Sequence, residues 1–382
     1  MSRSFDVCIR GDGVVGHTLA LLLARERLRV ALVAKPVDRL PPENVRVDVR
    51  AYALNSASRQ LLETLRAWPE AAFATPVREM QVWGDHGGKL DFSAPSLPQS
   101  AANGSKDSAL AWIVDVPELE QQLRQATRYQ AHIEVLSEVP GESAPAALTV
   151  ICEGQHSSSR DALAAPVTLK SYAQKAIAAR LESSQPHGGV ARQWFAGGEV
   201  LALLPMGGPG GHALALVWSV SLERASALQK LTDEAFCAAL QADCGQEVGN
   251  LRLTSERTSW PLSLSNATHW VGPGWALAGD AAHTVHPLAG QGLNLGLADA
   301  ASLAAVLAGR EYWRSLGDEK LLRRYERSRK ADVAAIGAVT DGLHGLFART
   351  DAPWQTLRNW GMNGFSRSGP LKNWLTRQAA GL

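Results

Sequence analysis

The sequence predicts an α/β protein: a domain built on a parallel sheet, interrupted by an inserted antiparallel-sheet domain and closed by a helical C-terminal tail. Three observations predict it. The chain opens with a strand, a glycine turn, a helix and a second strand. Residues 171–221 then switch to short alternating runs separated by glycines, and helical periodicity returns after a strand at 275–278. At 382 residues the chain exceeds one ordinary domain. The expected division is 1–75, 105–165 and 265–345 for the first domain, 76–104 and 166–264 for the inserted sheet domain, and 346–382 for the tail.

In order, residues 5–10 read as a short buried strand ahead of the cluster Gly11-Asp12-Gly13-Val14-Val15-Gly16. Leu19, Leu21, Leu22 and Leu23 are spaced for a helix, and residues 30–33 form the next strand. A polar loop follows at 36–49 and a helix at 56–68. Residues 77–83 and 89–92 read as a hairpin around Gly87-Gly88. The Ser/Pro/Ala-rich stretch 93–107 reads as a loop. A strand at 110–114 leads to a helix opening near Pro117, and residues 148–152 form another buried strand. Alternating runs lie at 176–181, 190–195, 200–204 and 213–220, followed by one helix over 222–242. Helical patterns at 293–307 and 320–346 precede a tail that carries Trp354, Trp360 and Trp374.

A formal net charge of +1, from 38 basic and 37 acidic residues, gives no general attraction to nucleic acid. The four cysteines contain no C-x-x-C pair, which suits a reducing compartment. No apolar run reaches the roughly 20 residues that span a bilayer, and no secretory signal is visible. The expectation is a cytoplasmic protein.

Gly11-x-Gly13-x-x-Gly16 after a strand and before a helix is a dinucleotide fingerprint. Its glycines permit a tight turn, close approach to a pyrophosphate, and tight helix–strand packing. The helix start adds unpaired N–H groups for the phosphates. The position that usually supplies a ribose-binding carboxylate is Ala34, and Asp12 places a negative charge in the turn. A second segment, residues 275–300, is a strand running into Gly279-Asp280-Ala281-Ala282-His283. Pro287, Gly290-Gln291-Gly292, Asn294, Gly296 and Asp299-Ala300 follow. An aspartate at a strand end accepts hydrogen bonds from polyol hydroxyls, and a glycine-flanked helix start aims N–H groups at an anionic ring edge.

That second segment resembles the later FAD fingerprint of class A flavoprotein monooxygenases. The resemblance is strongest to the ubiquinone-biosynthesis (2-polyprenylphenol) hydroxylases, similar in fold to p-hydroxybenzoate hydroxylase. Asp48-x-Arg50, Tyr172-x-Gln174-x-Ala176, Ala202-Leu203-Leu204-Pro205 and Tyr325-x-x-x-Arg329 extend it along the chain. The resemblance implies a Rossmann-type FAD-binding domain with an inserted substrate domain. It also implies FAD as cofactor and hydroxylation of a prenylated phenol with NAD(P)H and dioxygen through a flavin hydroperoxide. Residue by residue, Gly11, Gly13 and Gly16 are implied to cradle the pyrophosphate, Asp280 to bind the ribityl chain, and Pro287, Gly290, Gln291 and Gly292 to line the isoalloxazine, with Gly279 and Asn294 as further cofactor-binding residues. Arg50 and Glu153 are implied to be further cofactor contacts, with Leu204, Pro205 and Trp218 as substrate-pocket wall. A quinone-biosynthesis protein complex and peripheral contact with the inner membrane are implied partners.

The chain departs from the family's Asp-Gly-x-x-Ser-x-x-Arg motif, carrying Glu153-Gly154-Gln155-His156-Ser157-Ser158-Ser159-Arg160 in its place. With Ala34 and Asp12, this makes the N-terminal cofactor half irregular. A non-catalytic or weakly FAD-binding subunit of a quinone-biosynthesis assembly is therefore the alternative reading. A nicotinamide dehydrogenase built on Gly11–Gly16 alone leaves residues 279–300 unexplained. His283-x-x-His286 lacks the further ligands of a metal site. Ser157–Ser159 lack the setting of a hydrolase nucleophile. No W-x-W-x-I-P run points to the flavin halogenases.

Overall fold

The computed structural model describes residues 5–34, 48–84, 88–93, 109–138, 146–163, 165–285 and 290–348, with side chains to 335. Pro287, His286, most of the 93–107 loop and the tail from 349 lie outside the described residues.

The opening unit is β1 (Val7–Arg10), α1 (Val14–Arg25) and β2 (Val30–Val33). Nine of the twelve α1 residues are buried, the polar His17 and Thr18 among them, as expected of an interior helix. β3 (Ala51–Leu54), α2 (Ser56–Thr64) and β4 (Ala74–Val77) follow, then the hairpin of β5 (Glu79–Trp83) and β6 (Lys89–Ser93). β7 (Ala111–Asp115) feeds α3 (Val116–Arg128), which carries its proline in the first turn. β8 (Ile133–Leu136), β9 (Leu148–Ile151) and α4 (Ser158–Ala162) complete this stretch.

β10 is one strand of 17 residues, Val167–Ser183, where the alternating pattern had shown only its inner part. Residues 168–171 face solvent, and this end carries the strand out of the first domain. It pairs with β15 (Thr258–Ala267) on both sides of a bulge between Ser171 and Lys175. Within that bulge Ala173 adopts φ +53°, a left-handed conformation that costs an L-residue roughly 1–2 kcal/mol. Ala173 is exposed, so Ala173→Gly is expected to raise stability by roughly 1 kcal/mol, seen as a higher denaturation midpoint. A lower midpoint would show that the methyl group is packed in solution.

β11 (Val190–Ala196), β12 (Glu199–Pro205) and β13 (Ala213–Ser221) continue the sheet. The single helix expected over 222–242 is two, α5 (Leu222–Gln229) and α6 (Asp233–Cys244). Thr232 is the cause: its side chain accepts the Ala235 N–H and starts a new helix, with Asp233 and Glu234 favouring the new N-terminus. β14 (Leu251–Leu253), β16 (Val271–Gly272), β17 (Trp275–Leu277) and β18 (His283–Thr284) are short. α7 (Gln291–Ala308) and the 30-residue α8 (Glu319–Ala348) end the described chain.

Among the described residues three sheets result. One has the order β16-β17-β9-β1-β2-β8, parallel except for its edge hairpin β16–β17. The nine-stranded sheet runs β18-β15-β10-β13-β12-β11-β5-β6, with β14 on β10; it is antiparallel except where β5 joins β11. A small sheet, β3-β7-β4, is antiparallel throughout. α7 is long and apolar enough to cross a membrane, but half of it is buried here, packed on α1 and α8.

Candidate cofactor cleft

In the parallel sheet Arg10, Val33 and Ile151 are in register, with Leu277 beside Ile151. Gly11, Ala34, Glu153 and Gly279 therefore emerge together at the carboxyl edge, the usual place for a ligand in such sheets.

The three fingerprint glycines have three different reasons. Gly11 has φ +110°, and a Cβ there would stand 2.5 Å from the Cys152 carbonyl oxygen. A Cβ on Gly16 would stand 1.9 Å from the Gly11 carbonyl oxygen, so α1 can enter only without one. A Cβ on Gly13 would meet nothing within 4 Å, so this position opens onto space. Gly13 is the N-cap of α1, with no side-chain cap and no acid in the first turn.

α7 begins the same way. Its N-cap is Gly290, at φ +59° in the left-handed region, with no side-chain cap and no acidic first-turn residue. Gln291 is its first residue, and Gly292, like Gly13, faces open space. α1 packs on α7 and on the turn before it through Val15: its Cγ2 lies 3.2 Å from a Cβ built on Gly279 and 2.7 Å from one on Gly296, the sixth residue of α7. Two uncapped N-termini at one cleft form a donor set for anions. Open glycines at Gly13 and Gly292 leave room for such a group, so the residues present fit a dinucleotide with a second anionic end.

Asp280 lies between them in the 3-10 turn Gly279–Ala281. It is open to solvent yet ringed by protein, and that confinement pushes its carboxyl pKa up; Asp299 adds to the shift, while His283 and Arg50 oppose it. Arg50 is clamped by Asp48, with Nε donating to both carboxylate oxygens at 2.9 Å and Nη2 donating at 2.5 Å. That bond holds the guanidinium firmly charged. Behind it, Arg180 from β10 donates to the Arg50 carbonyl and to Asp115, both at 2.9 Å.

Glu153 spends its carboxylate inside the protein. It accepts from Ser157 Oγ at 2.8 Å, from the Ser159 N–H at 3.1 Å and from Ser159 Oγ, with Arg10 Nε at 3.3 Å. Burial pushes its pKa up, but the serine hydrogen bonds and Arg10 outweigh burial and hold it below the usual value. Glu153 thus caps the turn into α4.

Three sequence expectations need correction. Asn294 does not offer its amide to the cleft: Nδ2 donates to the Ala53 carbonyl (2.8 Å) and the Gly290 carbonyl (3.3 Å). Its Oδ1 accepts from the Asn55 N–H (3.0 Å) and Ser58 Oγ (2.7 Å), so it clamps α7 to β3 and α2. Trp218 is not pocket wall. It is 1% exposed, on the face of β13 that packs against Phe236 of α6, ring centroids 5.9 Å apart. Pro205 is paired with Leu214 and shares that helix-facing side. Leu204, paired with Ala215, is on the opposite face, beside Val77, Ile113 and Met206. Of the three expected wall residues, only Leu204 faces the first domain.

A buried charge cluster supports the cleft from below. Asp299, fully buried in α7, accepts the Gly279 N–H at 3.0 Å, His283 Nε2–H at 2.7 Å and Arg329 Nε–H at 2.8 Å. Burial raises its pKa, and His283 and Arg329 more than reverse that. His283 stacks on Trp270, centroids 4.8 Å apart, and Tyr325 donates to the Leu277 carbonyl at 2.8 Å. His283 thus has a role without a metal. Among the described residues no group of three His, Cys, Asp or Glu side chains forms a metal site. The sequence carried one overlooked signal: Asp299 is the sole charged residue of α7. A lone acid in an apolar interior helix must find buried partners.

The family model described as FAD binding domain matches residues 4–339. The chain is 30% identical to the ubiquinone hydroxylase UbiL of Rhodospirillum rubrum, over 98% of its own length and 89% of that protein. It is 29% identical to the 3-demethoxyubiquinol 3-hydroxylase of Escherichia coli, covering 99% and 98% of the two chains. Among solved structures, the probable FAD-dependent monooxygenase PqsL of Pseudomonas aeruginosa superposes with a TM-score of 0.73 at 23% identity, covering 95% of this chain and 100% of that one. The p-nitrophenol 4-monooxygenase PnpA of Pseudomonas putida does so with a TM-score of 0.75 at 15% identity, covering 100% and 99%. At these identities the structural likeness is one of fold.

Proposed function

The chain belongs to the FAD-binding domain family, and from that premise we propose that it is an FAD-dependent hydroxylase of ubiquinone biosynthesis. Its substrate is a (poly)prenylated phenol, NAD(P)H the electron donor and dioxygen the co-substrate. The observation that carries the reading is the pair of glycine-capped, otherwise uncapped helix starts at Gly13 and Gly290, placed around Asp280.

When bound, FAD supplies hydride acceptance and the activation of dioxygen. The chain's own residues bind and orient. The α1 start and the space at Gly13 would receive the pyrophosphate, and Asp280 would accept from the ribityl hydroxyls. The N–H groups from Gly290 to Gly292 would donate to an anionic edge of the flavin ring. Arg50, fixed by Asp48, keeps a positive charge at the cleft. Leu204 and its neighbours on that sheet face provide an apolar, water-excluding wall for the substrate ring.

A second reading, an assembly subunit with weak FAD binding, is favoured by one observation: the Glu153 carboxylate is consumed internally and Ala34 provides no other. Visible absorption of the purified protein, with NADH or NADPH oxidation followed with and without a prenylated phenol, separates them. Bound flavin with phenol-stimulated oxidation supports the hydroxylase; a protein that never takes up FAD supports the assembly role. Peripheral contact with the inner membrane and membership of a quinone-biosynthesis complex belong to the same proposal, because a prenylated substrate partitions into the bilayer. Co-sedimentation with phospholipid vesicles tests the membrane part, and its absence at low salt removes that part.

A further inference from the structure

We propose that His283 and Asp299 are positioning residues for the cofactor, acting through the Gly279 amide on Asp280; this rests on the reading of the cleft as an FAD site. Neither side chain is exposed to the cleft, at 2% and 0% accessibility. What they control is the turn above them. Gly279 sits at φ +63°, so the peptide ahead of Asp280 is in a conformation the backbone does not choose by default. One carboxylate oxygen, Asp299 Oδ2, holds both sides of that turn: the Gly279 N–H before Asp280 and the His283 imidazole after it. The other oxygen is fixed by Arg329 of α8.

The turn is held at two further points. Arg160 Nη1 donates to the Ala281 carbonyl at 3.2 Å, and Tyr325 donates to Leu277 in the strand that leads in. α8 is braced by the same region, since Glu326 accepts the Trp270 N–H and Lys330 donates to the Thr268 carbonyl. Asp280 is therefore presented by a set of buried hydrogen bonds made before any ligand arrives. Pre-organisation of this kind contributes affinity by removing the cost of ordering on binding. It matters more in this chain than in one with an intact N-terminal half, because Glu153 and Ala34 give the adenosine side little to add.

The test compares His283→Phe with His283→Gln. Phenylalanine keeps a ring against Trp270 and deletes the donor to Asp299; glutamine keeps a donor at similar reach. FAD dissociation constants, the visible band shape of bound FAD, and the melting temperature without FAD are measured for each. His283→Phe is expected to weaken FAD binding tenfold or more and to shift the visible bands, with His283→Gln within threefold of wild type. If His283→Phe does not fold, His283→Asn, whose shorter side chain withdraws the donor, replaces it. Wild-type uptake of FAD with all variants within threefold overturns this proposal alone, as does a loss of affinity in His283→Gln equal to that in His283→Phe. A wild-type protein that takes up no FAD overturns the cofactor reading and this proposal together.

Discussion

Asp299→Ala is expected to lower stability by about 3–5 kcal/mol, the cost of stranding a buried charge. Arg329 is 5% exposed and would keep the Leu295 carbonyl at 3.4 Å and, as its one charged partner among the described residues, Asp332, whose carboxylate lies toward solvent at 2.5 Å from Nη1. The Gly279 N–H and His283 would lose their common acceptor in the same step, each a buried donor left unpaired. The measurement is the denaturation midpoint without FAD, together with soluble yield. A loss below about 1 kcal/mol would mean that Asp332 neutralises Arg329 unaided. Saturating FAD is expected to recover part of the loss, since binding to the folded state stabilises it by mass action.

Gly13→Ala and Gly16→Ala, three residues apart in one motif, are expected to fail in opposite ways. At Gly16 the new Cβ would meet the Gly11 carbonyl oxygen at 1.9 Å, and neither atom can move without unseating α1 from the sheet. Overpacking of this kind costs about 3 kcal/mol or more, so the variant is expected to be unstable with or without FAD. At Gly13 the Cβ enters open space, so the unliganded melting temperature is expected to be unchanged. That space is the phosphate approach, and FAD affinity is expected to fall by about 10-fold or more, roughly the 1.4 kcal/mol or more of one displaced close contact. Thermal unfolding read beside flavin titration distinguishes the two. Equal FAD affinity in Gly13→Ala and wild type would place the pyrophosphate elsewhere.

The parts legible in the sequence were those with a local cause. A glycine at each forced position, a strand of unbroken apolar residues and a helix behind it can all be read within a few residues, and the opening βαβ unit followed from them. The run from Gly279 to Ala300 was legible for the same reason. Faces were harder. β13 is buried on both sides, so its alternation carries no sign of which side meets the helices, and Trp218 was set against the wrong layer. The break between α5 and α6 turned on the single hydroxyl of Thr232, inside a stretch whose apolar period runs on through it. Asn294 shows a further limit. It stands within a cofactor fingerprint, but its partners Ala53, Asn55 and Ser58 come from about 240 residues earlier, and no local pattern announces them.

The strand order also sets a sequence of events during synthesis. β9 is made by residue 151, but its outer neighbour β17 is not complete until residue 277, and α7 does not cover α1 until residue 308. Between those points the emerging chain carries an open, apolar parallel-strand edge while it builds the other sheet. Such an edge invites pairing with other chains. Expression fragments that stop near residue 265 are therefore expected to aggregate even though they contain the whole glycine fingerprint. Folding of the nucleotide-type half must wait for the last third of the polypeptide to leave the ribosome.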